Sequence, residues 1–279
     1  MRVGVWLLLL LGLSGYATAA TPQRVMSLNL CSDQLVLELL PPSRITSVTY
    51  LSRERYRSYL SAKAYRVGVN HGNAEEVITQ RPDLVIAGLY TTPATRQLLK
   101  EVGVPLLELP GADSFQDIRD ITRSVGHAVG AEGKAEELLR QMDATLADLA
   151  ATAPRRPISI IGWNGGGDVE GKGTLFDAIV SAAGAVNIAA SPGMQSRTFG
   201  VEQLLFSHAD LLAFGDATIA APGLRSSALT HPAIEKRYRG RELVYPELLY
   251  SCGLPQSAQA AQQLRRMMLS ILRSVPAGE

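Results

Sequence analysis

A glycine-rich loop with one lysine is the part of this sequence that comes nearest to a catalytic motif. Residues 166–174 follow a strand-like apolar run and precede a helical run, as a phosphate-binding loop does. That motif needs a serine or threonine directly after the lysine to bind magnesium, but Gly173 follows Lys172. We therefore interpret this segment as a loop that lets backbone approach a ligand. Lys172 remains a candidate hydrogen-bond donor to an acidic ligand group.

The other reactive side chains do not form a catalytic pattern. No Ser-His-Asp, Cys-His or paired-carboxylate arrangement can be built from local motifs. Two alternatives to a pure binding function stay open. One is an exported enzyme that uses Cys31 or Lys172, and the other is a receptor for a free metal ion. Four scattered histidines supply few ligands for such an ion.

One acidic segment occurs twice in the chain. Residues 75–85 and residues 202–212 both begin with glutamate, carry an aspartate at the same later position, and end in apolar residues. Acidic residues favour helix N-termini, so each copy predicts a short helix that leads into a buried strand. The two copies predict two α/β lobes of similar plan. Core packing requires no glutamate at these corners, so Glu75 and Glu202 are candidates for contact with another molecule.

The amino terminus indicates export. Arg2 precedes an uncharged apolar run, and small residues follow up to residue 20, which is the pattern of a cleaved signal peptide. The predicted location is the periplasm. The net charge is +1 and no basic patch with interleaved aromatic residues occurs, so a nucleic-acid partner is not expected.

Strand-like and helix-like segments alternate along the rest of the chain, which predicts parallel sheets with helices on their faces. The segment from Lys134 to Thr152 is rich in helix formers and would span about 28 Å as a helix. The predicted strands are 24–29, 45–48, 84–87, 106–109, 158–161, 211–214 and 243–245, and the predicted helices are 32–40, 95–102, 115–129, 134–150, 175–183 and 256–274.

Several of these segments resemble the periplasmic substrate-binding proteins of cobalamin and ferric-siderophore ABC transporters. The resemblance lies in residues 73–77 and 81–87, in residues 201–205, in residues 24–28 and in residues 258–264. Such proteins have two Rossmann-like lobes joined by a single long α-helix, with the ligand in the cleft between them. The resemblance implies lobes at 21–130 and 154–279 and a linking helix within 131–153. It also implies that Glu75 and Glu202 meet arginines of the permease.

In this fold, ligands lie at the carboxyl ends of the strands. Tyr90 and Trp163 fall where the cobalamin-binding relatives carry aromatic residues. His71 is a candidate ligand for iron or cobalt, a partner for a siderophore carboxylate, or a surface residue that only forms hydrogen bonds. The predicted ligand-facing residues are Asn29, Cys31, Tyr50, Asn70, His71 and Tyr90 in the first lobe, and Trp163, Lys172, Tyr250 and Cys252 in the second.

The two cysteines leave three alternatives. Cys31 and Cys252 each follow a strand end on a different lobe, so both could border the cleft. They form a disulfide across it, contact the ligand as two thiols, or share a metal ion that His71 helps to bind.

The sequence therefore predicts a periplasmic receptor and not an enzyme. It captures a corrinoid or an iron chelate and delivers it to the permease dimer of an ABC importer. A monomer without a resident cofactor or structural metal is expected.

Overall fold

The computed structural model describes residues 20–163, 167–191, 199–216 and 231–274. The predicted signal peptide lies outside these residues except for Ala20, and so does Gly166 at the start of the glycine-rich loop. In the described part of the chain, no helix is long and apolar enough to cross a membrane.

The first lobe contains a five-stranded parallel sheet in the order β3-β2-β1-β4-β5. Every residue of the central strands β1 and β4 is buried, as expected of inner strands in a parallel sheet covered on both faces. The strands are β1 (Val25–Ser27), β2 (Ile45–Thr49), β3 (Gly68–Asn70), β4 (Leu84–Ala87) and β5 (Leu106–Glu108). The helices of this lobe are α1 (Leu30–Leu39), α2 (Ser61–Ala64), α3 (Ala74–Gln80) and α4 (Pro93–Glu101).

The second lobe contains a four-stranded parallel sheet in the order β7-β6-β8-β9. All five residues of β8 are buried, because this strand lies between β6 and β9. The strands are β6 (Ile158–Gly162), β7 (Ala185–Asn187), β8 (Leu211–Gly215) and β9 (Glu242–Tyr245). The helices of this lobe are α7 (Leu175–Ala182), α8 (Val201–Phe206), α9 (Pro232–Tyr238) and α10 (Ser257–Ser274). Two separate parallel sheets confirm the predicted two-lobed α/β fold.

Two packed helices carry the chain from the first sheet to the second. They are α5 (Phe115–Ala128) and α6 (Glu132–Ala151), and α6 is 20 residues long, or about 30 Å. Leu138 of α6 packs in the core of the first lobe, whereas the next residue, Leu139, packs in the core of the second. Because α6 belongs to both hydrophobic cores, and α5 lies along it, the connection is rigid. The predicted limits of the linking segment, 131–153, stay a prediction.

The terminal helix α10 is fixed to the connection by a buried arginine. The Arg265 guanidinium donates hydrogen bonds to the carbonyl oxygens of Leu149 at 2.7 Å and Ala183 at 2.8 Å. These carbonyls lie at the carboxyl ends of α6 and α7, where oxygen atoms lack helical partners. Arg265 therefore holds the connecting helix α6 and the second-lobe helices α7 and α10 together.

Candidate functional site

Two adjoining cavities lie between the carboxyl edges of the two sheets. One is about 340 Å³ and has lining residues from both lobes, and the other is about 430 Å³ and is lined mainly by the first lobe. Their volumes are in the range of small-molecule binding sites. Because they share part of their lining, they form one cleft. The shared residues are Asn29, Cys31, Tyr90, Ser251 and Cys252.

A disulfide joins the two lobes at this cleft. Cys31 lies in the first turn of α1 and Cys252 in the loop before α10, with Cα atoms 5.3 Å apart. Cys252 packs into the core of the first lobe, although its loop continues into a helix of the second. Of the three alternatives, the disulfide across the cleft is confirmed. The two alternatives with thiolate ligands are wrong, because no free cysteine occurs.

Aromatic and imidazole side chains form the first-lobe wall. Tyr50 follows β2, and its ring stacks on that of His71 with centroids 5.4 Å apart. Both rings line the larger cavity and are partly open to it, with 44% of Tyr50 and 63% of the His71 side chain exposed. This wall therefore offers a flat, polar-edged surface to a ligand.

Tyr90 stands where the two cavities meet and is 81% exposed. The turn that carries it is fixed by Thr91, whose hydroxyl accepts a hydrogen bond from the Gly88 amide and donates one to the Leu28 carbonyl, both at 3.2 Å. A Cβ atom at residue 88 would lie 3.0 Å from the Asn29 side chain, so glycine lets the turn pack closely against Asn29. The phenol ring of Tyr90 is thus presented to the cleft by a turn that Thr91 bonds to the end of β1 and β4.

Asn29 lines the cleft and also caps helix α1. Its side-chain oxygen accepts a hydrogen bond from the Cys31 amide at 2.9 Å and so caps α1. The cap fixes the first turn of the helix and, with it, the half-cystine that lines both cavities.

Carboxylates and apolar side chains form the second-lobe wall. Glu170, Leu175 and Tyr250 line the smaller cavity from this side, and Asp113 lies at the junction of the lobes. Burial raises the pKa of the Glu170 carboxyl, and the nearby carboxylates of Glu247 and Asp113 raise that pKa further. Glu170 is nevertheless open to the cavity itself. The described lining of the two cavities contains two carboxylates and neither lysine nor arginine.

Three predicted ligand-facing residues lie outside the lining of these two cavities. Asn70 is buried, because its side chain bonds the Ser27 carbonyl and the Gly72 amide and so shapes the turn that carries His71. Trp163 is 2% exposed, and its indole donates to the Phe199 carbonyl within the second-lobe core.

Lys172 is the third of these residues. It is exposed and lies outside both linings. Sequence reasoning chose this lysine from the glycine-rich loop and missed Glu170, two residues earlier, which lines the smaller cavity. An acidic residue in a loop that follows a strand was the available signal. The remaining seven predicted residues do line the cleft: Asn29, Cys31, Tyr50, His71, Tyr90, Tyr250 and Cys252.

The two repeated glutamates lie on short helices at the outer corners of the lobes. Glu75 in the first turn of α3 and Glu202 in the first turn of α8 are both exposed. In each lobe, the side chain of the next residue accepts a hydrogen bond from a backbone amide that precedes it in the chain. Glu76 accepts the His71 amide at 2.6 Å, and Gln203 accepts the Gly200 amide at 3.0 Å. Glu75 and Glu202 are therefore left free of the local hydrogen bonds that their neighbours make.

Glu76 also bonds the His71 ring, with its Oε1 atom 2.8 Å from Nδ1. Partial burial opposes the charge, but the hydrogen bonds from the His71 ring and amide outweigh it and lower the pKa of the Glu76 carboxyl. Glu76 is thus a carboxylate at neutral pH.

Comparison with known proteins relates the chain to transport receptors. It is 29% identical over 135 residues to YvrC, an ABC transporter substrate-binding lipoprotein of Bacillus subtilis (strain 168), across 47% of this chain and 42% of that one. It is 28% identical over 178 residues to a cobalamin-binding protein of Halobacterium salinarum, across 61% of this chain and 47% of that one. The chain thus spans about half the length of these curated relatives.

Solved structures share the fold. The apo form of the periplasmic heme-binding protein RhuT from Roseiflexus sp. RS-1 superposes with a TM-score of 0.74 at 23% identity, covering 89% of this chain and 98% of that one. The vitamin B12-binding protein BtuF of Vibrio cholerae gives 0.67 at 15% identity, covering 91% and 99%. The family model described as "Periplasmic binding protein" matches residues 25–226. The chain belongs to this family of periplasmic binding proteins.

Proposed function

We propose that the protein captures a corrinoid or an iron chelate outside the cytoplasm and presents it, as a monomer, to an ABC importer. The observation that carries this proposal is the cleft between two like lobes. The Cys31–Cys252 disulfide links the lobes at this cleft, and exposed aromatic rings line it. Large flat ligands bind between such rings, and a rigid cleft avoids the cost of ordering flexible walls on binding.

The relatives support a ligand of this class. One similar protein is a cobalamin-binding protein, one similar structure is a heme-binding protein, and another belongs to an Fe3+-hydroxamate transport system of Saccharomonospora viridis. A disulfide is stable in an oxidising compartment, which supports a location outside the cytoplasm.

An enzymatic function is less well supported. The Cys31 sulfur is bonded to Cys252 and has no thiolate to act as a nucleophile, and Lys172 lies outside the cleft lining. A receptor for a bare metal ion needs several protein ligands at one point. Within the described residues, no group of three or more histidine, cysteine, aspartate or glutamate side chains could hold such an ion.

Glu75 and Glu202 supply the docking contacts with the permease dimer in this proposal. Each is an exposed carboxylate on a separate lobe, and α6 belongs to both cores, so their separation is fixed. Carboxylate–arginine bonds at two fixed points orient one protein on another and raise the association rate.

Ligand binding is tested by thermal unfolding and by fluorescence. Titration with haemin, cobalamins and ferric siderophores should raise the melting temperature for one class, because a ligand at a hundredfold excess over its dissociation constant stabilises by about 2.7 kcal/mol. Trp163 is the one tryptophan after residue 20, so its quenching gives an independent binding curve. A protein that binds none of these chelates would contradict the proposal.

Docking is tested with charge-reversed variants. The double variant Glu75→Arg, Glu202→Arg should lower ligand uptake by about 10- to 100-fold, in cells that lack another receptor, and leave ligand affinity unchanged. The matched control is Glu101→Arg, Glu235→Arg, which reverses one exposed glutamate on each lobe away from the repeated segments. Unchanged uptake in the first variant would exclude these corners from docking. Lost ligand affinity would assign them to the binding site instead.

A further inference from the structure

One stretch of the first lobe concentrates positive charge and tyrosine. Residues 53–66, the Arg/Tyr patch, lie between β2 and β3 and contain four arginines, one lysine, three tyrosines and one glutamate. The Arg/Tyr patch therefore carries a formal charge of +4, whereas the whole chain carries +1. This composition corrects the expectation that the chain has no basic patch with interleaved aromatic residues. In the described structure, none of these residues lines either cavity, so the ligand cleft does not explain them.

The Arg/Tyr patch folds into one surface. The turn at Tyr50–Arg53 and the helix α2 pack against each other. The guanidinium carbon of Arg53 lies 5.3 Å from the centroid of the Tyr65 ring, and that of Arg57 lies 5.6 Å from the centroid of the Tyr56 ring. Basic groups and tyrosine rings are thus in contact across this surface.

Charge and rings both face solvent. Tyr56 is 71% exposed and Tyr65 is 65% exposed. Arg55 and Arg66 are also exposed, and within the described part of the chain they form no ion pair. An exposed aromatic ring adds nothing to solubility, so two of them among free arginines indicate a contact surface.

Two carboxylates neutralise part of the charge. Glu54 Oε2 lies 2.7 Å from Arg57 Nε, and Glu38 Oε2 lies 3.2 Å from Lys63 Nζ. Half of the Arg57 side chain and 47% of the Lys63 side chain remain exposed, and ion pairs on the surface are weak. The Arg/Tyr patch therefore keeps a surplus of positive charge for a partner.

A bilayer that contains anionic phospholipids matches both properties. Its phosphate groups attract lysine and arginine over about a Debye length, roughly 8–10 Å in physiological salt. Tyrosine rings are enriched at the level of the headgroups, because they combine an apolar body with a polar hydroxyl group. Basic groups and tyrosines on one surface therefore suit a membrane.

The Arg/Tyr patch occurs in one lobe only. By strand order, β7 is the counterpart of β2, but residues 188–200 after β7 contain one arginine, no lysine and no tyrosine. A partner with two like halves favours a repeated contact, such as the one proposed for Glu75 and Glu202. A lipid surface needs no second copy. The asymmetry thus favours a membrane over the permease dimer.

We infer that residues 53–66 bind the headgroups of an anionic phospholipid membrane and concentrate the receptor at the membrane that contains its importer. This inference goes beyond the function proposed above and does not depend on the class of ligand. Five basic groups without a lipid chain give reversible binding, so the protein exchanges between the membrane surface and solution.

The test is co-sedimentation of the exported protein with lipid vesicles. Wild-type protein should bind vesicles of phosphatidylcholine with phosphatidylglycerol at low salt. It should bind vesicles of phosphatidylcholine alone about 10-fold more weakly or less. Because salt screens the attraction, binding to the anionic vesicles should fall as the salt concentration rises.

Charge is tested with neutral variants. Arg55→Gln, Arg57→Gln, Arg66→Gln should weaken binding to anionic vesicles by about 100-fold, since each basic residue at such a surface contributes about fivefold. Arg53 is kept, because its Nη2 atom donates a hydrogen bond to the Val67 carbonyl at 2.9 Å. The matched control removes three exposed arginines elsewhere and should stay within about threefold of wild type. It is Arg140→Gln, Arg156→Gln, Arg266→Gln.

The rings are tested separately. Tyr56→Ser, Tyr65→Ser should weaken binding by about 10-fold and leave its salt dependence unchanged, because the charges remain. Melting curves identify any variant that fails to fold. Arg55→Gln alone changes a residue without an ion pair in the described structure, and its expected fivefold loss keeps the test available if the triple variant does not fold.

Four outcomes would overturn the inference. Wild-type protein that binds neither kind of vesicle, or both equally, would do so. Equal losses in the patch variant and its matched control would assign the attraction to net charge. Slower association of haemin with the patch variant, at unchanged vesicle binding, would assign the Arg/Tyr patch to ligand capture. Binding of a short DNA duplex in place of anionic vesicles would assign it to a soluble polyanion.

Discussion

The outer corners of the two lobes repeat, whereas the walls that face the cleft do not. At the corners, Glu75 and Glu202 are exposed, and the residue after each accepts a backbone amide from the preceding loop. Both lobes contain the same helix–strand unit, and each has a backbone amide before the helix to satisfy, although Gly200 is the N-cap of α8 and His71 lies two residues before the N-cap of α3. Side chains that accept hydrogen bonds from backbone amides are thus repeated, because each α/β unit needs such acceptors.

The cleft walls show the opposite. The first lobe presents Tyr50, His71 and Tyr90, and the second presents Glu170 and Tyr250. A ligand held between two lobes shows a different face to each, so nothing requires the walls to match. The comparison implies that repeated residues serve the fold or a two-point partner and that unrepeated ones serve the ligand.

Removal of the disulfide should have the largest effect on stability, since it joins the two unlike walls. The bond closes a loop with a sequence separation of 221, for which chain entropy gives about 5 kcal/mol. The variant Cys31→Ala, Cys252→Ala should lose about 3–5 kcal/mol in urea unfolding and bind its ligand more weakly, because the walls are no longer fixed.

Reduction provides the control for this prediction. Dithiothreitol should destabilise the wild type by a similar amount and leave the double alanine variant unchanged. A double variant as stable as wild type would mean that α5 and α6 alone fix the lobes.

The long helices and central strands follow from sequence because each carries a periodic apolar pattern. Helix α10 was predicted at 256–274 and is observed at Ser257–Ser274, and β4 was predicted at its observed limits. The short strands β3 and β7 were missed. Each has three residues, and both contain asparagine, which strands disfavour. Pairing with a neighbouring strand, and not propensity, places them in the sheets.

The site was harder to predict because strand ends do not fix side-chain direction. Trp163 directly follows β6, as expected of a cleft residue, but it pairs with Val169 in an antiparallel bridge. Its ring then fills the core beside Leu204. Whether a large aromatic residue fills a core or faces a ligand depends on helices distant in sequence, which a local pattern does not contain.

A buried carboxyl group supports the first-lobe wall of the cleft. Asp33 of α1 is the one aspartate or glutamate that is buried among the described residues, and it accepts hydrogen bonds from the Thr49 amide at 3.1 Å and the Ser52 hydroxyl at 2.6 Å. These bonds fix the turn that carries Tyr50. Burial raises the pKa of Asp33 from 3.8 to about 7, although the hydrogen bonds from Ser27, Ser52 and Thr49 oppose the rise.

The sign of the pH effect follows from this pKa. The unfolded chain loses the Asp33 proton near pH 4 and the folded protein near pH 7, so stability from this group is full at low pH and is lost as pH rises. Between pH 4.5 and 7 the loss should be on the order of 3 kcal/mol.

The free energy of unfolding of the wild type and of Asp33→Asn is measured between pH 4.5 and 7. The difference between the two curves gives the contribution of the Asp33 carboxyl group. The asparagine variant does not ionise, so its curve should lack this decline with rising pH. Parallel curves would show that Asp33 is ionised throughout and that the first-lobe wall has no such titrating group.

The smallest predicted losses of stability test whether corresponding residues of the two repeated segments have the same role. Asp83 accepts the Gln23 and Arg24 amides at 2.7 and 2.9 Å, and Asp210 accepts the Ser159 amide at 2.9 Å. In both lobes the aspartate of the repeated segment thus bonds the start of a central strand, β1 or β6. Asp83→Ala and Asp210→Ala should each cost about 1–2 kcal/mol, since each removes hydrogen bonds to a charged acceptor.

Asp120→Ala on the exposed face of α5 is the control and should stay within about 0.5 kcal/mol of wild type. Asp83→Asn and Asp210→Asn keep an acceptor oxygen, so each should recover part of the loss. Equal losses at the two aspartates would support a repeat that serves the fold. A loss at one lobe only would break the comparison, because the second copy would then persist for another reason, such as contact with the permease beside Glu75 or Glu202.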